Sequence, residues 1–196
     1  MTEKKRLRII ALLVMLAIPW LSGCAGLLIG GAAVGVSVVH DRRTTGTVVD
    51  DQTIELKLQG ALNQQLPPGN HINVTGYNGT VLLSGEVISE AVRQQAEMIA
   101  RGIDPPVREV YNELVVAPAS TLSSRSNDVL LAAKVKTALF QISITDFDPT
   151  RVKVVTERSV VYLIGLVRPN EADEVARVAS QVGGVQQVVT LFEYIR

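Results

Sequence analysis

From residue 50 onward the chain alternates two hydrophobic rhythms, and the whole alternation occurs twice. Ile54, Leu58, Ala61 and Leu62 recur at i, i+4, i+7 and i+8, the spacing that keeps apolar side chains on one face of a helix. Two runs with strand character follow, Ile72 to Thr75 and Thr80 to Val87, joined through Tyr77-Asn78-Gly79. Asn-Gly is the pair a tight hairpin turn prefers, because both central positions need positive φ. Helical spacing returns near Ser89 with Val92, Ala96, Ile99 and Ile103, stops at Pro105-Pro106, and gives way to a last strand over Val110–Val116.

The second pass repeats this order. Val152 to Val167 aligns with Ile72 to Val87 at an offset of 80, so that Val154, Leu163 and Gly165 fall on Val74, Leu83 and Gly85. Upstream, Val135, Ala138 and Leu139 match Leu58, Ala61 and Leu62 at an offset of 77, the difference lying in the loop before the first strand. Asn170, with Asp173 three residues on, reads as the N-cap of the second helix of this copy. Self-similarity of this kind predicts two copies of one supersecondary unit, each in the order α-β-β-α-β. The helix between the second and third strands is a crossover, which sets those strands parallel with right-handed sense. The expected class is therefore α+β, with two tandem small α-β-β-α-β domains, each a three-stranded mixed sheet packed against two helices. Units of about 65–70 residues are small for independent cores, so the two are expected to pack together.

The first 23 residues carry a different signal. Lys4, Lys5, Arg6 and Arg8 precede an apolar run from Ile9 to Leu21, of 13 residues, which suits a signal-peptide core and is shorter than the roughly 20 residues that span a bilayer. It ends in Leu21-Ser22-Gly23-Cys24, and Cys24 is the only cysteine. The expected organisation is a signal peptide over 1–23, a Gly-rich tether over 24–49, domains over 50–116 and 127–196, and a linker over 117–126.

Charge and composition narrow the function classes. The whole chain has a formal net charge of zero, without the concentrated positive face of a nucleic-acid protein. One cysteine excludes an intrachain disulfide and a cysteine-rich metal site, and two histidines are too few for a His-only zinc site. No metal, no cofactor beyond lipid on Cys24, no small-molecule substrate and no catalytic residue is expected. Gly30-Gly31 is followed by no lysine, so it is no phosphate loop. His40 beside Asp41 has no nucleophile nearby and reads as a solvated loop residue, and His71 reads as a surface residue. Asp146 and Asp148 sit in a turn ending at Pro149, where turn chemistry accounts for them.

The Leu-Ser-Gly-Cys ending resembles the lipobox of bacterial lipoproteins. That resemblance implies diacylglycerol transfer to Cys24, cleavage after Gly23, and acylation of the new amino group. Ala25, in place of an aspartate after the cysteine, implies sorting to the outer membrane. The repeats resemble the BON domain, whose signature is a Val-x-Val strand, an Asn-Gly turn, a Val-x-Leu-x-Gly strand and a late Gly-Val-x-x-Val. The first copy supplies Asn78-Gly79, Val81, Leu83, Gly85, and Val107 to Val110 followed by Asn112. The second supplies Gly165 and Gly184-Val185-Gln186-Gln187-Val188 but departs at its turn, where Arg158-Ser159 replaces Asn-Gly, and at Thr190, which replaces the asparagine. Lipobox and repeats together are similar to the dual-BON outer-membrane lipoproteins of Gram-negative bacteria. The expected location is lipid-anchored on the periplasmic face of the outer membrane.

Differences between the copies point to partners. Residues 50–116 hold four basic and nine acidic residues, net −5, whereas 127–196 hold eight of each. The first helix of the second copy has a core face of Leu131, Val135, Ala138, Leu139 and Ile142. It also carries a second line, Leu130, Ala133, Thr137 and Phe140, with Lys134 and Lys136 beside it. In the first copy the corresponding residues are Thr53, Leu56, Gly60 and Asn63. An apolar stripe flanked by lysines suits an interfacial helix; packing against the other domain is the competing reading. Because BON domains are proposed to attach to phospholipid membranes, the resemblance favours anionic phospholipid as partner, held by Leu130, Lys134, Lys136, Thr137 and Phe140. An envelope protein docking on the acidic first domain is the alternative partner.

Overall fold

The computed structural model describes residues 41–196. The signal peptide, Cys24, His40 and most of the tether lie outside the described residues.

Each domain follows the expected order. In the first, helix α1 (Thr45–Gln65) leads to strands β1 (His71–Tyr77) and β2 (Thr80–Val87), then helix α2 (Glu90–Arg101) and strand β3 (Glu109–Val116). The second comprises α3 (Leu122–Leu139), a 3₁₀ turn at Pro149–Arg151, β4 (Val152–Glu157), β5 (Val160–Val167), α4 (Pro169–Ser180) and β6 (Gln187–Tyr194). Both sheets are three-stranded and mixed: β2 pairs antiparallel with β1 and parallel with β3, and β5 does the same with β4 and β6. The fold class read from the repeat is the one observed.

Local chemistry sets the boundaries. Both first helices begin earlier than the repeat suggests, because Thr44 and Thr121 act as N-caps and accept the N–H groups of Thr47 and Ser124. Leu122 to Ser126, expected in the linker, is the first turn of α3. Helix α2 is capped by Ser89 and ends at Gly102, ahead of the two prolines. Helix α4 differs from expectation. Its N-cap is Arg168 rather than Asn170, because Pro169 occupies the first helical position, where its missing N–H costs nothing. Glu171 then accepts the Arg168 N–H at 2.7 Å. The strand glycines that match between the two copies mark close crossings: a Cβ on Gly85, at φ +116°, would sit 2.1 Å from the His71 carbonyl oxygen, and one on Gly165 would sit 2.8 Å from that of Arg151.

Each domain has its own core between helices and sheet. Ile54, Leu58, Leu62, Val92, Ala96 and Ala100 meet Val81, Leu83 and Val87 in the first, and Val135, Leu139, Val175 and Ala179 meet Val154, Val161 and Leu163 in the second. The other faces of the two sheets stack on one another. Tyr77 and Leu82 pack against Tyr162 and Ile164, with Tyr111, Val155, Leu166 and Leu191 around them. Every residue of β2 is therefore buried, odd positions under the helices and even ones under the second sheet. Burial on both faces explains why β5 is a nearly continuous apolar run rather than an alternating one.

The sheets stack in an approximately two-fold manner. The end of β1 lies at the end of β5, where Tyr77 Oη donates to the Arg151 carbonyl (3.2 Å) and accepts the Leu166 N–H (3.3 Å). The start of β1 lies at the end of β4, where Asn73 Nδ2 donates to Glu157 Oε2 at 2.7 Å.

Candidate functional site

Three constructions stand out in the folded body: a clamp on each hairpin, a charged cluster at each end of the domain interface, and an apolar stripe on α3.

The clamps use residues that the sequence reading passed over. Asp51, buried on α1, accepts the N–H of Asn78 (2.6 Å) and of Gly79 (2.7 Å). Asp128, buried on α3, accepts those of Arg158 (3.0 Å) and Ser159 (2.9 Å). All four turn residues have positive φ, between 51° and 75°. The second turn thus keeps the conformation of an Asn-Gly turn without its residues, and one carboxylate accepts both of its backbone donors. The signal was present in sequence: Asp51 and Asp128 are related by the same offset of 77 as the helix cores.

At the first end of the interface the chain from Asp41 to Arg43 straps the two domains. Arg42 makes a two-pronged pair with Glu171 of α4 (2.6 and 2.7 Å) and donates to the Leu166 carbonyl (2.8 Å). Arg43 pairs with Asp41 and, at 2.8 Å, with Asp51, while its guanidinium lies 3.9 Å from the Tyr77 ring centre. The Arg42 guanidinium, aided by the Arg168 N–H, holds the wholly buried Glu171 carboxyl below its ordinary value against the opposing effect of burial. Nearby, Lys153 reaches Glu55 (2.7 Å), and Asn78 and Arg108 both reach Glu193.

The opposite end gathers His71, Glu86, Glu157 and Arg158. His71 is not a surface residue. It is half-buried at the start of β1, opposite Glu86 in the β1–β2 register, because the second domain covers this face of the sheet. Its Nδ1 is 3.1 Å from Glu86 Oε2 and 3.7 Å from Glu157 Oε1. Glu86 also accepts the Ser120 N–H (3.1 Å). Burial pushes the Glu86 carboxyl up, but Ser120 and His71 outweigh it and hold it below its ordinary value. For Glu157 burial wins: the Asn73 hydrogen bond lowers it, Glu86 and Asp128 oppose, and its carboxyl stays raised.

The stripe on α3 faces solvent. Leu130 and Phe140 are 61% and 67% exposed, and Lys134, Lys136 and Thr137 are exposed with them. Thr137 turns its hydroxyl back onto the Ala133 carbonyl (2.9 Å). The apolar contact between the domains is made by the sheets, and these side chains stand outside it. Two further exposed residues join the stripe, Leu122 (80%) and Val129 (69%). At 3.6 residues per turn Leu122, Val129, Ala133 and Phe140 fall within an arc of about 40°, with Leu130 and Thr137 on one side. Lys136 and Lys134 flank this arc on its two sides. Helix α1 exposes Val49 and Leu56 on its outer surface, a thinner line beside acidic neighbours. Among the described residues no helix is long and apolar enough to cross a membrane.

The sequence profile of the BON domain matches residues 50–118 and again 127–196. The chain belongs to the BON-domain family. It is 38% identical over 181 residues to the outer membrane lipoprotein DolP of Haemophilus influenzae, covering 90% of this chain and 91% of that protein. It is 35% identical to the 21 kDa hemolysin of Actinobacillus pleuropneumoniae, over 80% of each chain. Similarity to the osmotically inducible protein Y of Escherichia coli is 30%, over 79% of this chain and 77% of that one. The dual-BON arrangement inferred from the repeats is thus shared along nearly the whole chain with DolP.

Proposed function

We propose that this BON protein is a non-enzymatic lipoprotein of the outer membrane, anchored through lipid on Cys24 and facing the periplasm, whose second BON domain binds anionic phospholipid and supports envelope integrity. The single observation that carries the reading is the outer face of α3, where Leu122, Val129, Leu130 and Phe140 stand exposed between lysines in a body whose interdomain contact is already satisfied elsewhere. Inserting Leu130 and Phe140 among acyl chains would contribute about 1.5–3 kcal/mol each when fully buried, and each lysine near an anionic surface about 1 kcal/mol. The second domain is neutral overall, whereas an anionic surface repels the first, at net −5.

Likeness to the DolP lipoprotein supports the anchor and the location. Chemical-shift titration of residues 41–196 with phosphatidylglycerol micelles should move residues 122–142 and leave α1 still. Leu130→Glu with Phe140→Glu should abolish those shifts in a folded protein. Unchanged micelle binding by that variant would remove the proposal. A Cys24→Ala protein should lose firm anchoring and keep anionic-lipid affinity.

The acidic first domain favours a second reading, an adaptor for an envelope protein, through exposed Leu56 and Met98. Crosslinking in intact cells separates the two, because lipid binding alone leaves no stable protein partner.

A further inference from the structure

The two ends of the interdomain interface share one plan and differ in charge. At the first, the strap brings Arg42 and Arg43 to the buried carboxylates of Glu171 and Asp51. The same segment of the second domain, 77 residues on, is Ala119-Ser120. It delivers a backbone N–H to Glu86 and no cation. Glu86 is wholly buried and Glu157 nearly so, with Asp128 adding to the negative field, yet the cation set against them is Arg158, half-exposed and 3.5 Å from Glu86 Oε1. The second end is short of positive charge.

What fills the gap is a ligand set. His71 Nδ1, one Glu86 oxygen and one Glu157 oxygen all lie within 4.8 Å of one another. Tetrahedral zinc with bonds of about 2.0–2.2 Å places neighbouring ligand atoms roughly 3.3–3.6 Å apart, and the His71 separations of 3.1 and 3.7 Å fall on either side of that range. A second shell is already built: Asn73 holds Glu157 Oε2 and the Ser120 N–H holds Glu86, which leaves Glu157 Oε1 without a hydrogen-bond donor. Glu157 and Ser120 also line an interdomain cleft of about 570 Å³, large enough to admit an ion and leave a fourth position to water. We propose that His71, Glu86 and Glu157 form a zinc site that joins the first domain to the second at the end the arginine strap does not reach. Two ligands come from neighbouring strands of one sheet and the third from the other domain, so the ion acts as a staple between them.

The test uses the untagged full-length lipoprotein in detergent, stripped with a chelator and titrated with Zn²⁺, with Co²⁺ as a spectroscopic probe. One equivalent should bind saturably, raise the thermal midpoint, and give the visible bands of tetrahedral Co²⁺. His71→Ala should abolish these effects, Glu157→Gln should weaken binding at least tenfold, and Asn73→Ala should weaken it about 10–100-fold as an outer-shell change. His40→Ala should leave binding as it was. Absence of saturable binding, equal binding by His71→Ala, or loss of binding on His40→Ala would each overturn the site. Should both ligand variants unfold without metal, ¹⁵N shifts of the His71 ring in the wild-type protein decide: a ring unmoved by Zn²⁺ refutes the proposal.

Discussion

Helices α1 and α3 hold the same place in their domains and turn two different surfaces outward. On the inside they are nearly interchangeable: an aspartate clamps the hairpin turn at the first buried position, and an aliphatic row packs the sheet behind it. Outside, α1 has Val49 and Leu56 among acidic neighbours, while α3 has four large exposed apolar residues and two lysines. The inner face is fixed by the fold, since moving the aspartate would deprive two turn N–H groups of their carboxylate acceptor. The outer face is free to diverge, and divergence there is where the two domains acquire separate roles.

The interface offers the same contrast between its ends, and its largest consequence is for stability. Arg42→Ala strands the buried Glu171 carboxylate and should cost about 3–5 kcal/mol in urea denaturation. Arg158→Ala, removing a half-exposed partner at 3.5 Å, should cost no more than about 1 kcal/mol. Equal losses at the two ends would mean that the strap is no stronger than an ordinary surface contact. The pH dependence carries a definite sign. The Glu171 carboxyl is held down by Arg42, so its stabilisation is complete above the ordinary glutamate value, near 4.3, and disappears as pH falls through its lower folded value. Asp41 behaves likewise, its Arg43 hydrogen bonds outweighing burial. The difference in stability between wild type and Arg42→Ala should therefore shrink steadily below about pH 4.

The clamps come next. Asp128→Ala removes two charge-assisted hydrogen bonds of about 1.5–3 kcal/mol each, partly regained through water at an opened turn, so a loss of about 3 kcal/mol is expected. Asp51→Ala should cost at least as much, because Asp51 also holds Arg43. A loss below 1 kcal/mol at Asp128 would show that the Arg158-Ser159 turn holds its shape unaided.

These constructions were unequally legible in the sequence. The hairpins and the helix cores rest on spacings within about 20 residues, the parallel crossover on about 30, and the repeat on a near-constant offset of 77 to 80, and each left a periodic trace. The stacking of the sheets left a weaker one, the nearly unbroken apolar run of β5, which marks burial on two faces. The strap left none. Arg42 and Glu171 are 129 positions apart, and nothing in a polar turn after a Gly-rich segment shows which carboxylate its arginines will meet. His71 was misread for the same reason: before a strand it looks exposed, and only the second sheet covers it. The α3 stripe could be read at Leu130 and Phe140, but Leu122 was missed because a serine-rich start hid a capped helix.

The smallest effect bears most directly on whether the two clamps are equivalent. Arg158 and Ser159 adopt φ of 52° and 63°, a left-handed conformation that costs an L-residue about 1–2 kcal/mol. Gly79 occupies the second position of the first turn at φ 75° without that strain. Ser159→Gly should relieve it, offset by the roughly 0.5–1 kcal/mol that glycine loses in chain entropy. A net gain of about 0.5 kcal/mol is expected, with micelle binding unaltered, because the turn lies on the inner side of α3 and the stripe on the outer. In an Asp128→Ala background the gain should be larger, since the unclamped turn then depends on its own residues. If Ser159→Gly adds the same amount with and without Asp128, the carboxylate satisfies the turn's donors without selecting its conformation, and the two hairpins are alike in shape for different reasons.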